Sequence, residues 1–211
     1  MDTPLMASLY ERFVLPRVLD FAMRQEPIRR QRVKVVPRAT GRVLEIGIGS
    51  GRNLPFYDRG KVDSVIGLEP SAELRAMAER RARESGIDVE WIPLGSERIP
   101  LGDASVDTVL TTYTLCTIPG LDSALGEMRR VLRPGGRLLF SEHGQAPDAD
   151  VRRWQDRLNP LWNRIGGGCN LNRPIADLVR RAGFEPEDIE SAYLPGPRPM
   201  TWTTWGSALR A

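Results

Sequence analysis

Apolar residues recur along this chain in two alternating rhythms. Residues 5–24, LMASLYERFVLPRVLDFAMR, place Leu5, Leu9, Phe13, Val18, Phe21 and Ala22 at spacings near 3.6, which predicts an amphipathic helix bent or restarted at Pro16. A second short helix is predicted over 26–36, before PRATG breaks the pattern. The rhythm then changes to short continuous apolar runs, as expected of strands buried on both faces: RVLEIG from Arg42, SVIGLE at 64–69, VEWIPL at 89–94, VDTVLTT at 106–112, and RLLFSE following RPGG. Helical patterns lie between and after them. PSAELRAMAERRARESG has Ser71 as N-cap, Leu74, Met77 and Ala78 on one face, and Gly86 where a helix-ending glycine belongs. A helix over 121–132 turns Leu125, Met128 and Leu132 inward and stops at RPGG.

Downstream come a Trp-rich helical stretch at 151–165, a helix in RPIADLVRRAGF closed by Gly183, and two terminal strands flanking LPGPRP. Trp154, Leu158, Leu161, Trp162 and Ile165 share a helical spacing that predicts a sheet-covering face, with an acceptor-pocket role for some of them as the alternative. Strand and helix in alternation mean right-handed crossovers and a parallel sheet covered on both faces, an α/β doubly wound fold. With 211 residues and no internal repeat, a single domain is expected, divided into an N-terminal helical cap (1–40), a cofactor-binding core (41–145) and acceptor-side helices with a terminal β-hairpin (146–211).

Composition narrows the setting. Hydrophobic residues at 41% and charged residues at 27% are ordinary for a soluble globular chain. No run approaches the roughly 18 to 20 apolar residues of a membrane span, and the N-terminus has no basic stretch followed by an apolar one, so a cytoplasmic location is expected. The net charge of +3 is modest. Arg29, Arg30, Arg32, Lys34 and Arg38 cluster, but no nucleic-acid signature accompanies them, and they read as a solvated helix face. Cys116 and Cys169 are the two cysteines and neither has a CxxC partner, so no metal site is expected and two reduced, structural thiols are.

The chemistry starts at VLEIGIGSG. Gly47, Gly49 and Gly51 let backbone approach a ligand where a first strand opens into a helix, the place where nucleotide folds bind phosphates or nucleosides. A dinucleotide fingerprint reads GxGxxG, whereas this chain reads ExGxGxG, and an acid beside a pyrophosphate would repel it. An acid beside an ammonium would hold it. Glu45 therefore points to a ligand with a positive amine, and Glu69, ending the second strand, is placed to accept from two ribose hydroxyls. S-adenosylmethionine meets both demands. Methyl transfer from its sulfonium is an in-line displacement that needs alignment, exclusion of water and removal of the acceptor's proton. His143, the single imidazole, follows Glu142 at the end of the fifth strand and is the candidate base, with a strand-capping histidine as the alternative.

The motifs VLEIGIGSG, GLEPS, GSERIPLGDASVDTVLTTYTLC, EMRRVLRPGGRLLFSEH and RRAGF, in this order, resemble the class I S-adenosylmethionine-dependent methyltransferases. The resemblance implies a seven-stranded, mainly parallel sheet with the last strand antiparallel. It assigns the methionine end to Glu45 through Gly51 with Asn53, the ribose to Glu69 with Pro70, and adenine to Gly95, Ser96 and Glu97. Thr112 and Tyr113 become further cofactor contacts, and Tyr10 is similar to a tyrosine that folds over the cofactor. Many relatives have an aspartate where this chain has Gly95, which shifts acceptance from the adenine amino group to Ser96, Glu97 or a backbone carbonyl. TTYT after the fourth strand lacks the Asn-Pro-Pro-aromatic tetrad of nucleic-acid methylation.

The stretch SEHGQAPDADVRRWQDRLNPLWNRIGGGCNLNR is similar to methyltransferase-like proteins that methylate small alkyl thiols, and this places Trp162, Cys169 and Asn170 at the acceptor. Those relatives carry an N-terminal membrane anchor that does not appear here. The expected activity is methylation of a small lipophilic thiol; the alternatives are N-, O- or C-methylation of a lipid amine or quinone-type ring, with the N-terminal helix lying on a membrane, or cofactor binding without catalysis. The N-terminal helices and the LPGPRP loop are expected to roof the acceptor site, being free of the alternating core. Oligomeric state is not legible.

Overall fold

A computed structural model describes residues 9–210, so Leu5 lies outside the described residues. One turn of π-helix, Tyr10–Val14, runs into helix α1, Leu15–Met23, with Pro16 at the restart, where its missing N–H costs nothing. Helix α2, Glu26–Val35, leads to strand β1, Gly41–Ile46. The core then follows as β2 (Val62–Leu68), α3 (Ala72–Ser85), β3 (Val89–Ile92), β4 (Val106–Thr112), α4 (Leu121–Val131) and β5 (Leu132–His143). Helices α5 (Ala149–Ile165) and α6 (Ile175–Arg181) precede β6 (Phe184–Tyr193) and β7 (Trp202–Arg210).

The seven strands form one sheet in the order β3-β2-β1-β4-β5-β7-β6, with β7 antiparallel to both of its neighbours. The order reverses at β1, which places a crevice beyond the carboxyl ends of β1 and β4. Alternate residues of each strand feed opposite layers: Leu44 and Ile46 pack with Leu125, Met128 and Val131 of α4, while Val43 packs with Val35, Val36 and Leu110. Helix α4 buries Leu121, Ala124, Leu125, Met128 and Val131, a stripe at helical spacing. Helix α3 starts on the Ser71 hydroxyl, which accepts from the Leu74 N–H at 3.2 Å, and stops at left-handed Gly86.

Four expectations change. The glycine turn leads into successive turns and a 3-10 turn at Leu54–Phe56, not an α-helix, so no helix N-terminus faces the ligand there. Space explains it, because a Cβ at Gly51 would sit 2.9 Å from the Ala78 Cα of α3, which packs directly on this segment. RPGG is the bulged start of β5, paired with β4 through a register shift, and Pro93 and Leu94 lie beyond β3. Helix α5 does not cover the sheet with its Trp/Leu face: Val151 and Gln155 are its buried residues, and Trp154 and Leu161 are 55% and 63% exposed, with Leu158 and Ile165 also open. Among the described residues no helix is long and apolar enough to cross a membrane.

Candidate active site

A cavity of about 790 Å3 opens over the carboxyl ends of β1, β2 and β4 and is walled by α1, α2 and the C-terminal end of α5. At one end stands Glu69. Its two oxygens accept the N–H groups of Gly49 (3.0 Å) and Ser71 (2.9 Å), one each, so the carboxylate is fixed by backbone and keeps further lone pairs toward the cavity. Burial raises its pKa, opposed by those two N–H groups and by Arg75. That arrangement suits a ribose diol.

Gly47 explains the bareness of the turn. It has φ +62°, and a Cβ there would lie 2.4 Å from Thr114 Cγ2. Gly49 and Pro70 also line the cavity, whereas Gly51 serves the packing on α3. Gly95, Ser96 and Glu97 line the far side, and a Cβ at Gly95 would meet the Glu97 carboxylate at 2.7 Å. Glu97 has folded back over Gly95.

Glu45 does not line the cavity. It is buried beneath it, accepting from Asn53 Nδ2 at 2.9 Å and from the Tyr57 hydroxyl at 2.7 Å, and burial pushes its pKa up to about 7. Asn53 stands between acid and cavity, donating also to Thr112 Oγ1 (3.0 Å) and accepting from Arg32 Nε (2.9 Å). Any hold of Glu45 on an ammonium is therefore through its field and through Asn53, not by contact. Arg32 itself is buried, a correction to the solvated face expected of that cluster; burial lowers its pKa to about 10, still charged at neutral pH. Period alone does not separate it from Arg29 and Arg30, which pair outside with Glu26.

The opposite end is assembled from distant segments. Tyr113 holds a left-handed conformation at φ +55° just after β4, with its N–H bonded to Ser141 O at 2.9 Å, and it lines the cavity with Thr112. Glu142 accepts from Thr111 Oγ1 (2.8 Å) and Thr114 N–H (3.0 Å), pinning the loop that carries Cys116. Asn170 lies outside the cavity wall and acts as a clamp: its N–H and its side-chain amide both donate to Cys116 O at 2.9 Å. This brings Cys169 Sγ to 3.1 Å from Cys116 Sγ and 3.6 Å from His143 Nδ1, with His143 Nε2 buried and unpartnered. The contact from Cys116 and the nearby imidazole favour the thiolate at Cys169, while the same contact and burial push the Cys116 thiol up. The two thiols are not distant, because the fold brings together sulfurs that stand 53 residues apart in the chain. Trp162 completes this end. Tyr10 donates to Ile165 O at 3.0 Å and ties the π-helical turn to the end of α5, and Met200 rather than the LPGPRP loop reaches the cavity.

Comparison with known proteins gives the family. The family profile described as a methyltransferase domain matches residues 44–140. Thiol S-methyltransferase TMT1B of Homo sapiens is 34% identical over 180 residues, 82% of this chain and 71% of that protein. The chain belongs to the class I S-adenosylmethionine-dependent methyltransferases. The TMT1B of Rattus norvegicus is 33% identical over 168 residues, covering 78% of this chain and 66% of the relative, so the aligned stretch spans about two thirds of that protein's length. A putative methyltransferase from Bacillus halodurans shares the fold, with a TM-score of 0.72 at 14% identity over 86% of this chain and 98% of that one. S-adenosylmethionine is the cofactor of this methyltransferase, and the backbone-fixed Glu69 carboxylate and the bare turn at Gly47 and Gly49 fit its nucleoside.

Proposed function

We propose that this methyltransferase methylates the sulfur of a small lipophilic thiol. One observation carries the reading: apolar side chains of α1, Trp162 and Ile118 line the same cavity as His143 and Cys169, which stand 3.6 Å apart. An apolar pocket with such a pair suits an oily acceptor with one ionisable atom. The names of the thiol S-methyltransferases it resembles support the same class.

Bound S-adenosylmethionine supplies a methyl group already activated on a sulfonium. With it bound, Glu69 would orient the ribose, Ser96 and the folded-back Glu97 would take the adenine edge, and Asn53 with Glu45 behind it would make the methionine end favourable for a cation. The helices α1 and α2 wall the cavity and would exclude water from the bound reactants. A thiol near pKa 8.5 is only slightly ionised at neutral pH, and His143 is the group that favours its thiolate. His143→Ala is expected to slow transfer to a weakly acidic alkyl thiol by about 10² or more, to slow an acidic aryl thiol less, and to leave cofactor affinity nearly intact. Steady-state rates for both thiols and calorimetry with the cofactor check this; equal losses would return His143 to capping its strand. Methylation of amines or phenols with no transfer to any thiol would overturn the acceptor class.

A further inference from the structure

The corner at the acceptor end holds three soft ligands of one kind of site. Cys116 Sγ, Cys169 Sγ and a ring nitrogen of His143 all lie within 4.8 Å of one another. We propose that they form a zinc site with three protein ligands and a fourth position open to the cavity, where the acceptor's sulfur binds; the inference rests on the thiol reading above, with His143 then favouring the acceptor's thiolate as a ligand of the metal rather than by taking its proton.

Thiolate and imidazole donors select zinc and similar thiophilic ions over magnesium or calcium, and Cys2His with one open position is a known catalytic pattern for zinc. Distances fit. With Zn–S near 2.3 Å and Zn–N near 2.0 Å, tetrahedral angles put sulfur and nitrogen roughly 3.5 Å apart and the two sulfurs roughly 3.7 Å apart. Cys169 and His143 stand at 3.6 Å, and the two sulfurs, at 3.1 Å, must open by about half an ångström. Cys169 follows Gly167 and Gly168, both left-handed, so a small side-chain rotation is available without disturbing a helix. A disulfide would require the opposite movement and would leave the imidazole without use. The surroundings are those of a prepared site: Asn170 holds the Cys116 carbonyl, and its side-chain Oδ1 accepts from the Nδ2 groups of Asn159 (3.2 Å) and Asn163 (3.3 Å) of α5.

The step balances simply. A thiol R–SH binding at the open position gives its proton to solvent as the sulfur–metal bond forms. A lone pair on that sulfur then bonds to the methyl carbon, and the electron pair of the broken carbon–sulfur bond stays on the cofactor's sulfur as S-adenosylhomocysteine. The product thioether is neutral, a weaker ligand, and leaves.

The test uses the full chain, purified reduced, with metal content measured by mass spectrometry and Co2+ as the spectroscopic probe. One equivalent of zinc is expected, and Co2+ should show thiolate-to-metal charge transfer that shifts on adding an alkyl thiol but not an alkyl amine. Cys116→Ser and Cys169→Ser should each weaken zinc binding by about 100-fold or more, and Asn170→Ala by roughly tenfold, with cofactor binding as the control for folding. No zinc bound by the reduced protein, a Cys116–Cys169 disulfide in its place, or a cobalt spectrum indifferent to thiols would each overturn the site. Full-rate thiol methylation by metal-free protein would do so while leaving the acceptor class standing, whereas tight zinc with no thiol methylated would sink the acceptor class itself.

Discussion

The two ends of the cavity are built in different ways. The nucleoside end comes from turns that directly follow β1 and β2 and from the residues after β3, so each contact lies within a few residues of a strand end: Gly47 and Gly49 after Ile46, Glu69 after Leu68, Ser96 soon after Ile92. The acceptor end needs the loop after β4, the end of β5, the end of α5, and helices α1 and α2. A site at strand ends inherits its geometry from the sheet, whereas a site shared by five segments depends on hydrogen bonds that tie them together. Asn170, Glu142 and Tyr10 make those ties, and none of them reads as a clamp from its spacing.

Mutations should separate the two ends. The largest effect is expected from Glu69→Ala, which removes both the ribose acceptor and the anchor of the Gly49 N–H; cofactor binding should weaken by roughly 1 to 3 kcal/mol, with the acceptor KM little changed. Calorimetry with S-adenosylhomocysteine measures it, and an unchanged affinity would erase the distinction drawn between Glu69 and the sequestered Glu45. Trp162→Ala should do the reverse. Loss of part of an aromatic wall is expected to raise the KM of a lipophilic thiol about tenfold while cofactor affinity holds.

The smallest effect concerns the bracket between α1 and the nucleoside end. Asp20 pairs with Arg52 at 2.5 Å and Arg81 at 3.0 Å. Burial alone would raise its pKa, but the bonds from Arg52 and Ser50 and the charge of Arg81 carry it down to about 2 from an ordinary 3.8. Because the folded value is the lower one, the stabilisation is fully present above about pH 4 and is lost as the pH falls through about 2. Discounted for partial exposure it is on the order of 1 kcal/mol. Asp20→Asn should therefore unfold at lower denaturant at pH 7 and converge with the parent toward pH 2, and parallel pH curves would show that the bracket carries no charge-dependent stability.

The sequence was most legible where structure is local. Ser71 and Gly86 marked both ends of α3 through capping chemistry confined to a few residues, and Pro16 marked the restart of the first helix because a ring without an N–H acts on its own turn. The same logic failed for α5. Its Trp/Leu stripe has the period of a buried face, but period records only that a face exists, and among the described residues nothing covers most of it: Trp154 and Leu161 stay open while Trp162, the residue after Leu161, lines the cavity. Glu45 is a second instance. Its place in ExGxGxG signals an acid near the ligand, but whether the carboxylate touches the cavity depends on Asn53 and Tyr57, which reach it from beyond the turn.

What the sequence determined by itself is therefore the alternation that makes a doubly wound sheet, the turn without side chains, and the acid that ends β2, since these rest on backbone sterics and on side-chain types at fixed offsets from a strand. Only tertiary structure decided which way Arg32 faces, that Glu97 fills the place above Gly95, and that Cys116, His143 and Cys169 meet. The reason is the same in each case. Burial and hydrogen bonding of a side chain are set by whatever segment packs against it, and for these residues that segment lies elsewhere in the chain or, for Glu97, depends on how a loop folds back on itself.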